Sequence, residues 1–116
     1  MDFIGQPLTQ YCEQHSSSES ELLQNLAKET WQKVINPRML SGSLQGAYLK
    51  FISKLVQPRR ILEIGTYTGY SAICLAEGLV EGGLLTTIDV NEEQEELVNE
   101  FIVKAGFESK IEHIVG

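Results

Sequence analysis

A chain of 116 residues has room for one domain with a modest hydrophobic core, and no second domain fits. The net charge of -7, with nine scattered basic residues, argues against a nucleic-acid partner, because phosphate binding relies on clustered Lys and Arg. No apolar run approaches the roughly 20 residues that span a bilayer, and the N-terminus lacks the basic and apolar regions of a signal peptide. We therefore expect a cytoplasmic protein whose partner is neither a nucleic acid nor a membrane.

The first half of the chain is predicted to be helical. Three helices are expected, over residues 7–15 and 19–30 and from about Ser43 to Gln57. Ser18, with Glu21 three positions later, forms a capping-box pattern at the start of the second helix. The third helix has an apolar face that we expect to pack on a sheet: Leu44, Ala47, Tyr48, Phe51, Ile52 and Leu55.

From residue 58 the pattern alternates between strand and helix. Strands are predicted over residues 61–65, 84–89 and 110–115, with helices over 69–79 and 92–105. The first strand is too uniformly apolar, apart from Glu63, to be an exposed edge. Asn91 is expected to cap the last helix and Gly106 to end it.

This order predicts a parallel sheet with right-handed crossovers, the N-terminal part of a doubly wound, Rossmann-like α/β fold preceded by about three helices. We expect a single domain, with a helical segment over residues 1–57 and the first strands and helices of the sheet over residues 58–116. The C-terminal half of such a sheet is expected to be absent from this chain.

The most informative stretch is RRILEIGTYTGYSAICLAEGL, which begins at residue 59. It places a glycine turn, with Gly65 and Gly69 four residues apart, between an apolar strand and a helix. Tyr67 stands where a dinucleotide-binding turn carries the glycine that admits a pyrophosphate. The turn therefore favours an adenosine-bearing cofactor without phosphates, and S-adenosylmethionine is the obvious candidate.

Two acids flank this turn. Glu63 lies inside the apolar strand and needs a partner. The partner is either the cofactor's ammonium group and nearby N–H groups or, in a structural role, the glycine loop, which Glu63 would tie, or Arg59 or Arg60. Asp89 ends the next strand, where it can accept hydrogen bonds from both ribose hydroxyls or cap the helix near Glu92. Both alternatives stay open for each acid.

Hydroxyl and phenol groups complete the turn. Thr66, Thr68 and Ser71 are candidates to contact the carboxylate of the cofactor, and Tyr67 and Tyr70 either line its pocket or pack in the core. The sequence shows no Cys/His metal-ligand spacing and no nucleophile constellation. It therefore assigns no metal ligand, and the catalytic residues stay unknown.

The segments LEIGTYTGYSA and TTID closely resemble the first two cofactor motifs of the cation-dependent O-methyltransferases, the family of the caffeoyl-coenzyme A and catechol methyltransferases. YCEQHSSSESELLQNLAKET and MLSGSLQGAYLKFI are similar to that family's leading helices and cofactor-covering loop. The resemblance, from Tyr11 to Gly116, implies the cofactor-binding half of a homodimeric enzyme that methylates a hydroxyl of a small aromatic acceptor. It also implies a set of cofactor-binding residues: Met39, Ser41, Glu63, Gly65, Thr66, Tyr67, Gly69, Ser71 and Asp89.

Each of these residues has an implied role. Met39 is expected beside the sulfonium and Ser41 at the methionine portion. Glu63 is expected at the amino-acid end together with the backbone of residues 65 and 66. Ser71 is expected at the carboxylate and Asp89 at the ribose.

The resemblance also implies a divalent cation of the Mg²⁺ type. The family's metal ligands, two aspartates and an asparagine, and its catalytic lysine come from later strands and have no match in this sequence. Two other functions stay open: a methyltransferase with another acceptor, and a non-catalytic cofactor-binding module or one that dimerises through an exposed sheet edge.

Overall fold

The computed structural model describes residues 4–116 and confirms the α/β class. Its elements are α1 (Gln6–Gln14), α2 (Glu21–Lys33), a 3-10 turn (Pro37–Met39), α3 (Gly42–Val56), β1 (Arg60–Ile64), α4 (Tyr70–Ala76), β2 (Leu84–Asp89), α5 (Glu95–Lys104) and β3 (Ile111–Val115). Among these residues, none of the helices combines the length and apolarity needed to cross a membrane.

The three strands form one parallel sheet in the order β1-β2-β3. The register aligns Glu63 with Thr87 and Thr87 with His113, in one row across the sheet. The carboxyl ends of β1 and β2 are held side by side, because the Gly65 N–H donates to the Ile88 carbonyl at 2.8 Å. Side chains that leave these two strand ends therefore share one edge of the sheet.

The core lies between the sheet and helices α4 and α5. Helix α4 buries Ile73 and Ala76 in this core, and Leu79 follows it. Helix α5 buries Val98, Phe101 and Ile102. Leu85 of β2 and Leu26 of α2 are fully buried in the same cluster. Helix α2 thus packs onto the layer that carries the glycine turn.

The apolar face of α3 does not pack on the sheet, so that prediction is wrong. Tyr48, Phe51 and Leu55 are 63%, 64% and 74% exposed. Helix α3 instead packs on α4 through small residues, since Gly46 and Ser53 are its buried positions. Small side chains let two helices approach closely, and this contact decided which face of α3 turned inward.

Strand β1 is the edge of the described sheet, which contradicts the expectation that it is not an exposed edge. Leu62 and Ile64 are 66% and 75% exposed. The composition of β1 is nevertheless that of an interior strand, because apolar residues on both faces are typical of a strand with neighbours on both sides. Within residues 4–116, however, β1 has a neighbour on one side alone.

The predicted start of α2 was also wrong, because the cap is Ser20. Its side chain accepts a hydrogen bond from the Leu23 N–H at 3.2 Å, whereas Ser18 lies outside the helix. A run of serines offers several possible caps, and sequence alone does not choose among them.

Helix α5 begins at Glu95, three residues after the predicted start. Asn91 is not its cap: the Asn91 side-chain oxygen accepts from the Glu93 N–H at 2.9 Å and forms a local turn. Such turns compete with helix for the same backbone donors. Gly106 ends the helix as predicted, with the Phe107 N–H returning to the Ile102 carbonyl at 3.0 Å.

Candidate functional site at the carboxyl edge of the sheet

The glycine turn connects β1 to α4 in a backbone conformation that glycine favours. Gly65 and Gly69 have φ values of 97° and 91°, and the Gly69 N–H closes the turn on the Thr66 carbonyl at 3.0 Å. Tyr67, at φ 53°, is one of the two non-glycine residues with positive φ among the described residues. A left-handed tyrosine is costly unless its surroundings hold it, and here both its N–H and its hydroxyl are bonded.

Both carboxylate oxygens of Glu63 accept hydrogen bonds from hydroxyl groups. Ser71 Oγ donates to Oε2 at 2.5 Å, and Thr87 Oγ1 donates to Oε1 at 2.7 Å. The Thr66 hydroxyl lies 2.6 Å from Thr87 Oγ1. Because a threonine has one hydroxyl proton and Thr87 gives its own to Glu63, Thr66 must be the donor in this pair. The proton order is therefore Thr66 to Thr87 to Glu63.

Of the two structural alternatives for Glu63, this network favours the one in which it ties the glycine loop. The partners of Glu63 are Ser71 and Thr87, and not Arg59 or Arg60. Burial raises the pKa of Glu63 above its ordinary value, and the nearby Asp89 adds to the rise, while the two hydroxyl donors oppose it. The carboxylate thus stands beneath the glycine turn as a partly buried acceptor.

The threonine hydroxyls of the turn face the protein interior. Thr66 and Thr68 are buried, and Thr68 accepts a hydrogen bond from Thr30 Oγ1 of α2 at 3.1 Å. The Ser71 hydroxyl is engaged with Glu63. These bonds anchor the turn to β1, β2 and α2, which leaves the backbone as the part of residue 66 best suited to meet a ligand.

Asp89 receives two backbone N–H groups at the end of β2. The Tyr67 N–H donates to Oδ2 at 2.9 Å and the Asn91 N–H to Oδ1 at 3.1 Å. Partial burial acts to raise the pKa of Asp89, but the backbone donors outweigh it, with His113 adding to their effect, and the pKa lies below its ordinary value. Since α5 begins at Glu95, Asp89 does not cap that helix and holds the glycine turn instead.

An open cavity of about 360 Å³ lies over the carboxyl ends of β1 and β2. Its lining includes four predicted site residues, Met39, Gly65, Tyr67 and Asp89. A Cβ at residue 65 would meet nothing within 4 Å, so the backbone there is open to a ligand. The other five predicted residues do not line the cavity: Ser41, Glu63, Thr66, Gly69 and Ser71.

The remaining residues of the cavity wall were not predicted from the sequence: Val34, Ile35, Asn36, Asn91, Glu93 and Gln94. The Tyr67 hydroxyl donates to the Asn36 carbonyl and so ties the segment before the 3-10 turn to the glycine turn. The Asn36-Pro37 pair indicated a connecting segment, because proline disfavours a helical conformation in the residue before it. Nothing in its sequence indicated which strand end it would cover.

The described residues do not bring together a metal site. Within 4–116, no three His, Cys, Asp or Glu side chains are grouped as metal ligands. Of the two acids that line the cavity, Asp89 ends β2 and Glu93 lies between β2 and α5. We therefore derive no chemical step through a metal in this chain.

A parallel α/β sheet with a glycine turn after its first strand and an acid at the end of its second is the arrangement of Rossmann-like folds. Residues 13–116 match the model of the O-methyltransferase family. The chain belongs to that family. The caffeoyl-CoA O-methyltransferase of Stellaria longipes is 37% identical over 99 residues, which are 84% of this chain and 40% of the relative.

Solved structures are similar over the same span. The S-adenosylhomocysteine-bound methyltransferase of Podospora anserina superposes with a TM-score of 0.87 at 28% identity, over 95% of this chain and 47% of that one. The O-methyltransferase TomG of Streptomyces achromogenes, in complex with S-adenosylmethionine, gives 0.85 at 33% identity, over 95% and 49%. The chain thus spans about half the length of the relatives it matches.

Proposed function

We propose that this chain binds S-adenosylmethionine and forms the cofactor-binding half of an O-methyltransferase. Its acceptor is a hydroxyl of a small aromatic molecule, of the catechol or caffeoyl-CoA type. The observation that carries the proposal is the cavity where Gly65, Tyr67 and Asp89 meet at the ends of β1 and β2. Relatives of the same fold are bound to S-adenosylmethionine or its product, which supports the choice of cofactor.

The chemistry of the cavity wall fits this ligand. Asp89 is an ionised acceptor that keeps lone pairs beyond its two backbone bonds, and a ribose diol supplies two donors. Gly65 leaves its backbone open for the amino-acid end, and Met39 offers a soft apolar contact to the sulfonium region. Tyr67 stands at the position where a dinucleotide-binding turn has the glycine that admits a pyrophosphate, which favours a cofactor without phosphates.

Four of the five residues that do not line the cavity act on the ligand through their neighbours. Glu63, Thr66 and Ser71 form the hydroxyl–carboxylate network that fixes the turn, and Gly69 lets the chain enter α4. Ser41 lies two residues after Met39, at the start of α3. In this proposal it reaches the methionine portion when the ligand is bound.

The proposal for the whole enzyme includes a cytoplasmic homodimer and a divalent cation of the Mg²⁺ type. The family resemblance supports the dimer and the cation, and the composition supports the location. When bound, the cation would supply Lewis-acid activation and orientation of the acceptor hydroxyl. In this proposal residues 4–116 bind and orient the methyl donor, and among them no three His, Cys, Asp or Glu side chains are grouped as metal ligands.

The test is calorimetric titration of the purified chain with S-adenosylhomocysteine, with and without Mg²⁺. We expect binding that Mg²⁺ does not change, and Asp89→Ala should weaken it by about 1 to 3 kcal/mol, the scale of hydrogen bonds to a charged group. The matched control is Glu81→Ala, which removes an exposed acid before the amino end of β2, whereas Asp89 lies at the carboxyl end of that strand. Absence of heat with the intact chain, or equal affinity in both variants, contradicts the proposal.

A further inference from the structure

Tyr70, the first residue of α4, has a hydrogen-bond partner far away in the sequence. Its hydroxyl donates to Oε2 of Glu19, which lies in the segment before α2. The Tyr70 side chain is buried and does not line the cavity over the ends of β1 and β2, so it packs in the core. Burial raises the pKa of Tyr70, and the bond to Glu19 raises it further. The phenol therefore keeps its proton and is the donor to Glu19.

Helix α2 holds Glu19 in place. The Glu19 carbonyl accepts a hydrogen bond from Gln24 Nε2 at 2.9 Å, and the next residue, Ser20, caps the helix. These bonds fix the backbone that carries the Glu19 carboxylate. Helix α2 also contacts the glycine turn directly, since Thr30 Oγ1 donates to Thr68 Oγ1 at 3.1 Å. The two contacts tie the glycine turn and the start of α4 to the same helix.

Helix α3 provides the space that the Tyr70 ring occupies. A Cβ on Gly46 would lie 2.7 Å from Tyr70 Cε1 and 2.9 Å from Cys74 Sγ, and both distances are shorter than van der Waals contact allows. Glycine inside a helix is less favourable than alanine, and the ring explains why α3 has a glycine at this place. The ring of Tyr70 thus packs against Gly46 while its hydroxyl is bonded to Glu19, which confines the side chain to one position.

The position of Tyr70 matters for the glycine turn because the two are adjacent in the chain. Gly69 precedes Tyr70 and is the N-cap of α4, with φ 91°. The Gly69 N–H closes the turn on the Thr66 carbonyl at 3.0 Å. A displacement of Tyr70 is therefore passed to the turn, in which Gly65 and Tyr67 line the cavity.

We propose that Glu19 is a positioning residue for the cofactor site. Its carboxylate fixes Tyr70, and the fixed start of α4 holds the glycine turn in the conformation that receives S-adenosylmethionine. Glu19 does not line the cavity, so it acts through Tyr70 and not by contact with the ligand. The segment before α2 thus controls the affinity of a site at the ends of β1 and β2. The effect on the ligand rests on the proposed function, whereas the effect on the turn does not.

Hydrogen–deuterium exchange of the chain without ligand tests the effect on the turn. The variants are Tyr70→Phe and Glu19→Ala. In both, the amides of Tyr67 and Gly69 should exchange about fivefold or more faster than in the wild type, because the turn opens more easily. The matched control is Ser53→Ala, which removes the hydrogen bond from a buried hydroxyl of α3 to a carbonyl of α4 at 2.5 Å. Equal exchange of the turn amides in Tyr70→Phe and Ser53→Ala overturns the inference, because the bond to Glu19 then only stabilises the fold.

Calorimetric titration with S-adenosylhomocysteine tests the effect on the ligand. Glu19→Ala and Tyr70→Phe should each weaken binding by about threefold to tenfold. The double variant should weaken it no more than either change alone, because both remove the same bond. Glu19→Gln keeps an oxygen acceptor and should retain part of the affinity. Unchanged affinity, additive losses, or an equal loss in Ser53→Ala overturns the inference. If the intact chain gives no heat, the proposed function fails, and the exchange rates alone decide the role of Glu19.

Discussion

Replacing Thr87 by Val removes the central hydroxyl of the network beneath the glycine turn. Valine keeps the shape and the β-branched form of threonine, so the strand and its packing are retained. Thr87 is fully buried, bonded to Glu63 Oε1 at 2.7 Å and to the Thr66 hydroxyl at 2.6 Å. The substitution therefore deletes one bond to a carboxylate and one between hydroxyls, and it leaves two buried polar groups without this partner.

The expected loss follows from these two bonds. A hydrogen bond to a charged group contributes about 1.5 to 3 kcal/mol and a neutral one about 0.5 to 1.5 kcal/mol, so Thr87→Val should lower the free energy of unfolding by about 2 to 4.5 kcal/mol. Urea titration followed by circular dichroism measures this change. The affinity for S-adenosylhomocysteine should also fall, because the turn that carries Gly65 loses its support.

Thr86→Val is the matched control on the same strand. Its hydroxyl bonds to Glu112 at 3.2 Å on the open face, where water replaces the partner, and the change should stay within about 0.5 kcal/mol. In a Glu63→Gln background, the cost of Thr87→Val should shrink, since the charged acceptor is gone. A loss no larger for Thr87→Val than for Thr86→Val would refute the network.

Two further predictions concern burial. Burial raises the pKa of Glu63 above the 4.5 of the unfolded chain, so the native state binds the Glu63 proton more tightly than the unfolded state does. The stabilisation from this bound proton is complete below the unfolded pKa and is lost as pH rises through the folded pKa. Glu63→Gln should therefore gain stability relative to wild type from about pH 4.5 toward neutrality in urea titrations; a constant difference, or one of opposite sign, contradicts this. Gly78→Ala places a Cβ 2.2 Å from the Ser53 carbonyl carbon and should cost about 1 to 3 kcal/mol or more by forcing α3 from α4. Gly5→Ala, whose Cβ lies 3.8 Å from its nearest neighbour, should leave the urea midpoint unchanged, and equal midpoints for both variants exclude a close helix contact.

The glycine turn and the carboxyl ends of β1 and β2 were the part of the molecule that the sequence predicted best. The spacing of Gly65, Gly69 and Asp89 indicated a turn between the ends of two parallel strands, and the structure places them there. Such a prediction succeeds because the demand is local: a left-handed backbone needs glycine, and a strand end fixes where its last side chain lies. The roles of these residues toward S-adenosylmethionine remain predictions.

The partners of the buried polar groups could not be predicted. Glu63 is eight residues from Ser71 and 24 residues from Thr87, and the hydrogen bonds depend on the register between β1 and β2. Asn36 likewise meets Tyr67 across 31 residues of sequence. Contacts at such separations follow from how the elements pack, and no spacing rule records them.

The sequence by itself determined the elements, their order, the parallel sheet and the glycine turn, since periodicity and backbone preference act within a few residues of the chain. It also determined that α3 has an apolar face and that β1 is apolar on both sides. Tertiary structure alone decided whether those faces are buried. Helix α3 contacts α4 through Gly46 and Ser53, and the strand order leaves Leu62 and Ile64 exposed. The physical reason is that hydrophobicity favours burial without direction, whereas shape, register and neighbouring strands select the surface that is buried.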